Sequence, residues 1–143
     1  MKFDLPGRAR FALFLALVVS LAVSAWPSAT QKSVAQGVTV SVTAGNVGED
    51  AGVWDFAVSF HSNGPPLDDN LMDSAVLIAD GKRIKPLWWE GEAATLSYHH
   101  RAGVLKFVAF KPRPKHLELH LQRKGEAKPR VFMWEFGDWI ATK

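Results

Sequence analysis

Two imidazoles stand side by side at His99 and His100, followed by Arg101, in the stretch LSYHHRAGVLKF that runs from Leu96 to Phe107. Imidazole nitrogens are ligands for zinc and copper(II), so the pair raises a metal reading. Neighbours in an extended chain point to opposite sides, and one ion cannot be clamped by both rings. One ring is therefore expected to pack inward and the other to face solvent or a neighbouring loop. A metal site would need donors from elsewhere. His61 ends an aromatic strand beside a proline-rich loop holding Asp68 and Asp69. If the two loops meet at one end of the domain, His61, Asp68 and one of His99 and His100 would hold zinc or copper. The competing reading needs no cofactor: a histidine of the pair hydrogen-bonds backbone carbonyls and stitches a loop to the sheet.

The stretch PLWWEGE places Trp88 and Trp89 next to each other, with Glu90 and Glu92 close behind. In an extended chain one indole faces the core, and the other either covers the open end of a small sandwich, the more frequent case, or is exposed as a stacking platform for a sugar or peptide. Trp88, Trp89, Glu90 and Arg101 are the candidate ligand-binding residues. The segment HLELH spaces His116 and His120 as a helical metal pair would. Leu117, Leu119 and Leu121 repeat with period two, however, which makes the segment a strand and sets the two histidines ~13 Å apart along it. A solvated strand face with Glu118 between two histidines is the expectation. No Gly-x-Ser-x-Gly elbow, phosphate-binding glycine loop or His-Glu-x-x-His helix is present, and Asp68, Asp69, Glu90 and Glu92 form no specific catalytic pattern. No catalytic residue is assigned.

The elements that must carry these groups are short strands. In VWDFAVSFH, Trp54, Phe56, Val58 and Phe60 share one face, and Asp55, Ala57, Ser59 and His61 the other. GVTVSVTA, VLKFVAF, HLELHLQ and RVFMWEF alternate in the same way. Asp80-Gly81 reads as a hairpin turn between AVLIA and RIKPLWW, with Pro86 interrupting the second strand or placing it at an edge. KPRPK (111–115) is a stiff basic connector, read as solvated in preference to a contact with anionic headgroups or cell-wall polymer. About seven strands predict a two-sheet antiparallel sandwich of immunoglobulin-like type over residues 37–140, and no helix.

Residues 1–25 read as a secretory signal peptide, with Lys2, Arg8 and Arg10 before an apolar run and a cut after Ala25. Residues 26–36 read as a flexible segment. Cleavage removes three of 17 basic and one of 14 acidic residues, leaving a net charge of about +1, too weak for a nucleic-acid partner. The absence of cysteine excludes disulfides, thiolate metal sites and thiol nucleophiles. The protein is expected in the periplasm or outside the cell. An uncut leader would instead anchor it to the inner membrane, its one route to a membrane.

WDF (54–56), HS (61–62), PLWWEG (86–91) and HHRAGVLKF (99–107) follow one another in the chain. This order resembles a family of small uncharacterised bacterial secreted proteins with Trp-x-Phe, His-Ser, Pro-x-x-Trp-Glu-Gly and His-His-Arg-x-Gly-x-Leu-x-Phe motifs. The chain departs from that pattern in carrying AATLSY rather than glycines before the histidine pair, and in doubling the tryptophan. The resemblance implies an all-β exported domain and brings no activity with it. Together these features point to a non-enzymatic binding or assembly module of the bacterial envelope, with an unknown protein or envelope ligand as partner. Its surface would be the loop end from His61 to Asp69 and from Trp88 to Arg101. The alternative is a periplasmic zinc or copper protein using His61 with His99 or His100.

Overall fold

A computed structural model describes residues 29–92 and 99–136; the expected leader lies outside them. The strands are β1 (Gln31–Ala35), β2 (Val38–Ala44), β3 (Val53–Ser62), β4 (Ala75–Ala79) and β5 (Lys82–Ile84), followed by β6 (Trp88–Gly91), β7 (His100–Val108), β8 (His116–Leu121) and β9 (Arg130–Glu135). A single helical turn, α1 (Leu71–Ser74), precedes β4, its first turn capped by the Asn70 side chain, which accepts from the Met72 N–H at 3.0 Å. The strands form two antiparallel sheets, ordered β1-β2-β3-β7-β6 and β5-β4-β8-β9. Without β1, the two orders are those of the immunoglobulin-like sandwich: A-B-E-D facing C′-C-F-G.

Alternation decides which side chains meet between the sheets. Trp54, Phe56, Val58 and Phe60 of β3 point inward, as do Leu117, Leu119 and Leu121 of β8. The Phe56 ring meets Phe107 edge-on at 5.7 Å between centroids and Trp134 at 5.2 Å, so one phenyl group joins β3, β7 and β9. Each buried aromatic of this kind removes a large apolar area from water, about 150–250 Å².

Two strands depart from expectation. Gln31–Ala35, inside the segment expected to be flexible, is β1. It pairs in register with β2 from Gln31↔Val42 to Ala35↔Val38. The intervening Gln36-Gly37 turn has φ of 48° and 77°, the two left-handed residues that a tight hairpin needs. Glutamine is not one of the residues that ordinarily mark such a turn, so the sequence gives the hairpin no clear signal. The second departure is at Pro86. The strand expected over Arg83–Trp89 divides there: β5 pairs with β4 in one sheet, and β6 pairs with β7 in the other. A residue without an N–H suits the crossing between sheets.

The end of the sandwich where β2 begins and β9 begins is closed by charge rather than by apolar packing. Arg130 is buried and donates from Nε and Nη2 to both oxygens of Glu126, at 3.0 and 2.6 Å. Its Nη1 donates to the Ser33 and Val38 carbonyls and its Nη2 to the Ala35 carbonyl, each at 2.9 Å. Arg123, also buried, donates from Nε and Nη2 to the two oxygens of Asp69, at 2.8 and 2.9 Å, and from Nη2 to the Pro66 carbonyl at 3.2 Å. Its Nη1 lies 3.6 Å from Glu126. One chain of alternating charges thus joins the β1–β2 hairpin, the β3–α1 loop and the β8–β9 connection.

Removing one member of a buried ion pair leaves its partner desolvated and uncompensated. Arg130→Met is expected to lower stability by about 3–5 kcal/mol in urea unfolding, whereas Lys128→Ala on the exposed connection should stay within about 0.5 kcal/mol of wild type.

Candidate functional site

The outer face of the five-stranded sheet is read from the register. Going along β3 and β7, the outward pairs are Val53–Val108, Asp55–Lys106, Ala57–Val104, Ser59–Ala102 and His61–His100. On the β6 side, Trp88 stands opposite Lys106 and Glu90 opposite Val104. On the β2 side, Thr39, Ser41 and Thr43 stand opposite His61, Ser59 and Ala57. Small side chains fill the middle of this face.

Trp88 and Trp89 diverge as extended neighbours must. Trp88 points outward and is 46% exposed. Lys106 Nζ lies 5.6 Å from its ring centroid, within cation–π range. The same ammonium sits 3.5 Å from Asp55 and 4.0 Å from Glu90. These are surface pairs and contribute little to stability, but they fix where the indole stands. Trp89 points inward and packs against the core. It lies in a slot made by two glycines paired across β6 and β7. A Cβ on Gly103 would come within 2.7 Å of the indole and 2.5 Å of the Glu90 carbonyl, and one on Gly91 within 3.0 Å of the indole nitrogen.

The loops after β3 and before β7 do meet at one end. The Ser62 N–H donates to the His99 carbonyl at 2.9 Å, and Arg101 Nη1 to the Asp69 carbonyl at 2.6 Å. Ser62 is buried, and its hydroxyl donates to the Pro65 carbonyl while accepting the Gly64 N–H at 3.0 Å. Arg101, half-buried, also lies over Trp89, 5.6 Å from the ring centroid.

The residues singled out from sequence are thus partly gathered and partly separated. His100, not His99, faces His61: the two are cross-strand partners with ring centroids 6.4 Å apart and planes tilted by 58°. The expectation that one ring of the pair packs inward is not met, because His99 precedes the strand and both rings are exposed. Asp68 is not with the histidines. It lines a cleft with Arg123 and Lys124 on the other side of its loop. Among the described residues no three His, Asp or Glu side chains are grouped as a metal centre. Trp88 and Glu90 do not stand at the loop end either. Trp88 is opposite Lys106, six positions along β7 from His100, which at about 3.3 Å per residue is roughly 20 Å. Arg101 is turned to the interior, away from the outer face. Glu92 begins the loop after β6, its N–H donating to the Ala102 carbonyl at 2.8 Å.

The outer face of the other sheet carries the HLELH histidines. Glu118 bridges them, one oxygen 2.8 Å from His116 Nε2 and the other 2.7 Å from His120 Nε2. Glu135, directly across β9, holds His116 Nδ1. With an acid on each ring nitrogen, His116 is favoured as the imidazolium. Glu118 first, then Glu135, raise its pKa above 6.5, and His116 followed by His120 lowers that of Glu118 below 4.5.

No protein-family model matches the sequence, and no curated protein matches it. Among solved structures, the 1.5 Å crystal structure of MPT63, a secreted protein from Mycobacterium tuberculosis, aligns with a TM-score of 0.47 and 16% identity, over 78% of this chain and 99% of that one.

The His116 contribution to stability is present below pH 6.5 and is lost as pH rises through its raised folded value. That of Glu118 is present above pH 4.5 and is lost as pH falls through its lowered one. The cluster is therefore tightest between those two limits. In an NMR titration His116 should protonate above pH 6.5, and Glu118→Gln should move its midpoint back toward that value; an unmoved midpoint would refute the assignment.

Proposed function

We propose that the protein is an exported, non-enzymatic binding module of the bacterial envelope, and that the outer face of the five-stranded sheet receives an extended envelope polymer of peptide or glycan type. The observation that carries this reading is the arrangement of that face. An exposed indole, steadied by an ammonium between two carboxylates, stands on one side. Small residues cross the middle, and an imidazole pair closes the far end. Small side chains keep the surface shallow, so a chain can lie along it. Trp88 offers stacking area at low entropic cost, and the hydroxyls of Thr39, Ser41, Thr43 and Ser59 offer donors and acceptors. Asp55 and Glu90 flank one cation instead of facing each other across a cleft, which favours binding over acid–base chemistry. Export, to the periplasm or beyond, rests on the leader read at residues 1–25. Among the described residues no helix is long and apolar enough to cross a membrane.

Co-sedimentation of the exported protein with isolated cell-wall sacculi tests this reading. Trp88→Ala should weaken binding about tenfold or more, the loss expected of a truncated aromatic anchor, with the thermal midpoint unchanged. Equal binding by wild type and variant would sink it.

The facing of His61 and His100 favours a second reading, a surface site for zinc or copper(II) held by two imidazoles. Elemental analysis of protein purified without an affinity tag, with a zinc and copper titration, should then give one metal per chain, lost in His61→Ala/His100→Ala. No uptake, or uptake unchanged in the variant, would remove the site.

A further inference from the structure

At the end of the sandwich opposite the buried arginines, β6 stops pairing with β7 at Lys106, with the Leu87 N–H adding a last bond to the Lys106 carbonyl at 2.7 Å. Beyond that point a cleft of about 320 Å³ opens among the β4–β5 turn, the end of β7 and the basic connector. That volume reaches the range of small-molecule sites, about 300–1,000 Å³. Its wall is made by Ile84, Val108 and Phe110, and among the described residues its charged lining is Lys82, Lys111 and Arg113 against Asp80, the Lys111 ammonium also donating to the Glu49 carbonyl at 3.4 Å. Three cations to one carboxylate leave a net charge of +2.

Arg113 is held in place by stacking, its guanidinium carbon 4.1 Å from the Phe136 ring centroid. Among the described residues its Nε is buried without a hydrogen-bond partner. Buried donors are rarely left unmatched, and a guanidinium whose plane is fixed matches the oxygens of a phosphate better than a free one.

We infer that this cleft binds a phosphate monoester with an apolar body: the ester's charge of about −1.5 to −2 at neutral pH meets the cations, and its body lies on Ile84, Val108 and Phe110. The headgroup of phosphatidic acid, itself a phosphate monoester, and a soluble ester share this chemistry.

Calorimetric titration of the exported protein with n-hexyl phosphate, inorganic phosphate and n-hexanol tests the assignment, beside co-sedimentation with phosphatidylcholine vesicles with and without phosphatidic acid. Hexyl phosphate should bind at least about tenfold tighter than inorganic phosphate, from burial of its methylenes, and hexanol should not bind. Lys82→Gln/Lys111→Gln removes two exposed ammonium groups that the core does not use, and should weaken hexyl phosphate about tenfold or more. Arg113→Gln should do the same. Vesicle binding that requires phosphatidic acid and is lost in the lysine variant identifies a lipid as the source. Hexyl phosphate binding without vesicle binding identifies a soluble ester. Absence of both, or an affinity unchanged in the lysine variant, overturns the inference.

Discussion

Arg130 is buried with all five of its N–H groups matched, and the closure of the sandwich depends on that match. Two acceptors are the Glu126 oxygens and three are carbonyls of Ser33, Ala35 and Val38. A guanidinium carries five donors in a fixed plane, so the arrangement specifies not only that β1 lies beside β9 but at which register. Gln31 repeats the device further along: its side-chain amide donates to the Met133 carbonyl at 2.7 Å and accepts from the Met133 N–H at 3.0 Å. Side chains thus do at this edge what a backbone ladder does elsewhere. They occupy edge groups of both strands that would otherwise be open to another chain.

The same network holds the loop after β3. Asp69 accepts from Arg123 through its carboxylate and from Arg101 through its carbonyl, and this pins the Pro-rich loop after β3. The loop end, which collects polar and aromatic residues in sequence, is therefore tied down by three arginines whose donors have internal acceptors. Exposed cations stand at both ends, Lys124 and Lys128 beside the buried arginines and Lys82 and Lys111 at the opposite one, with Lys106 on the face of the five-stranded sheet.

Period-two alternation makes the sandwich legible, because burying one face of a strand demands it. β3 and β8 show their inner and outer faces residue by residue. What alternation does not carry is the partner of each edge. The run RIKPLWW reads as one strand, and only the sheet crossing at Pro86 divides it. Gln36-Gly37 carries little turn signal, so β1 does not stand out from the segment before the domain. Glu126 lies in KGEAKP (124–129), which reads as a turn, with Arg123 just before it and Arg130 at the start of the RVFMWEF strand. Isolated charges in a turn are ordinarily exposed, and nothing in their spacing shows that the chain folds them inward onto the β1–β2 hairpin. The convergence of the His61 and His100 loops is legible as a condition. That Trp88 stands about 20 Å from that pair is not, since it follows from where β6 docks along β7.

The motifs that carry the sequence resemblance divide in the same way. Their inward members hold the structure together. Trp54 and Phe56 fill the core, Ser62 ties the loop, and Gly91 and Gly103 form the slot for Trp89 under Arg101. Their outward members, His61, Glu90 and His100, fall on one face of one sheet together with the additional Trp88. Strand geometry alone requires only that alternate residues share a face. It does not require that separate strands deliver aromatic, acidic and imidazole groups to the same one while the face between them is kept small. Adjacent imidazoles at His99 and His100 are therefore less informative than the cross-strand pair of His61 and His100. The first is adjacency in the chain, with only His100 inside β7, and the second is a juxtaposition the fold constructs.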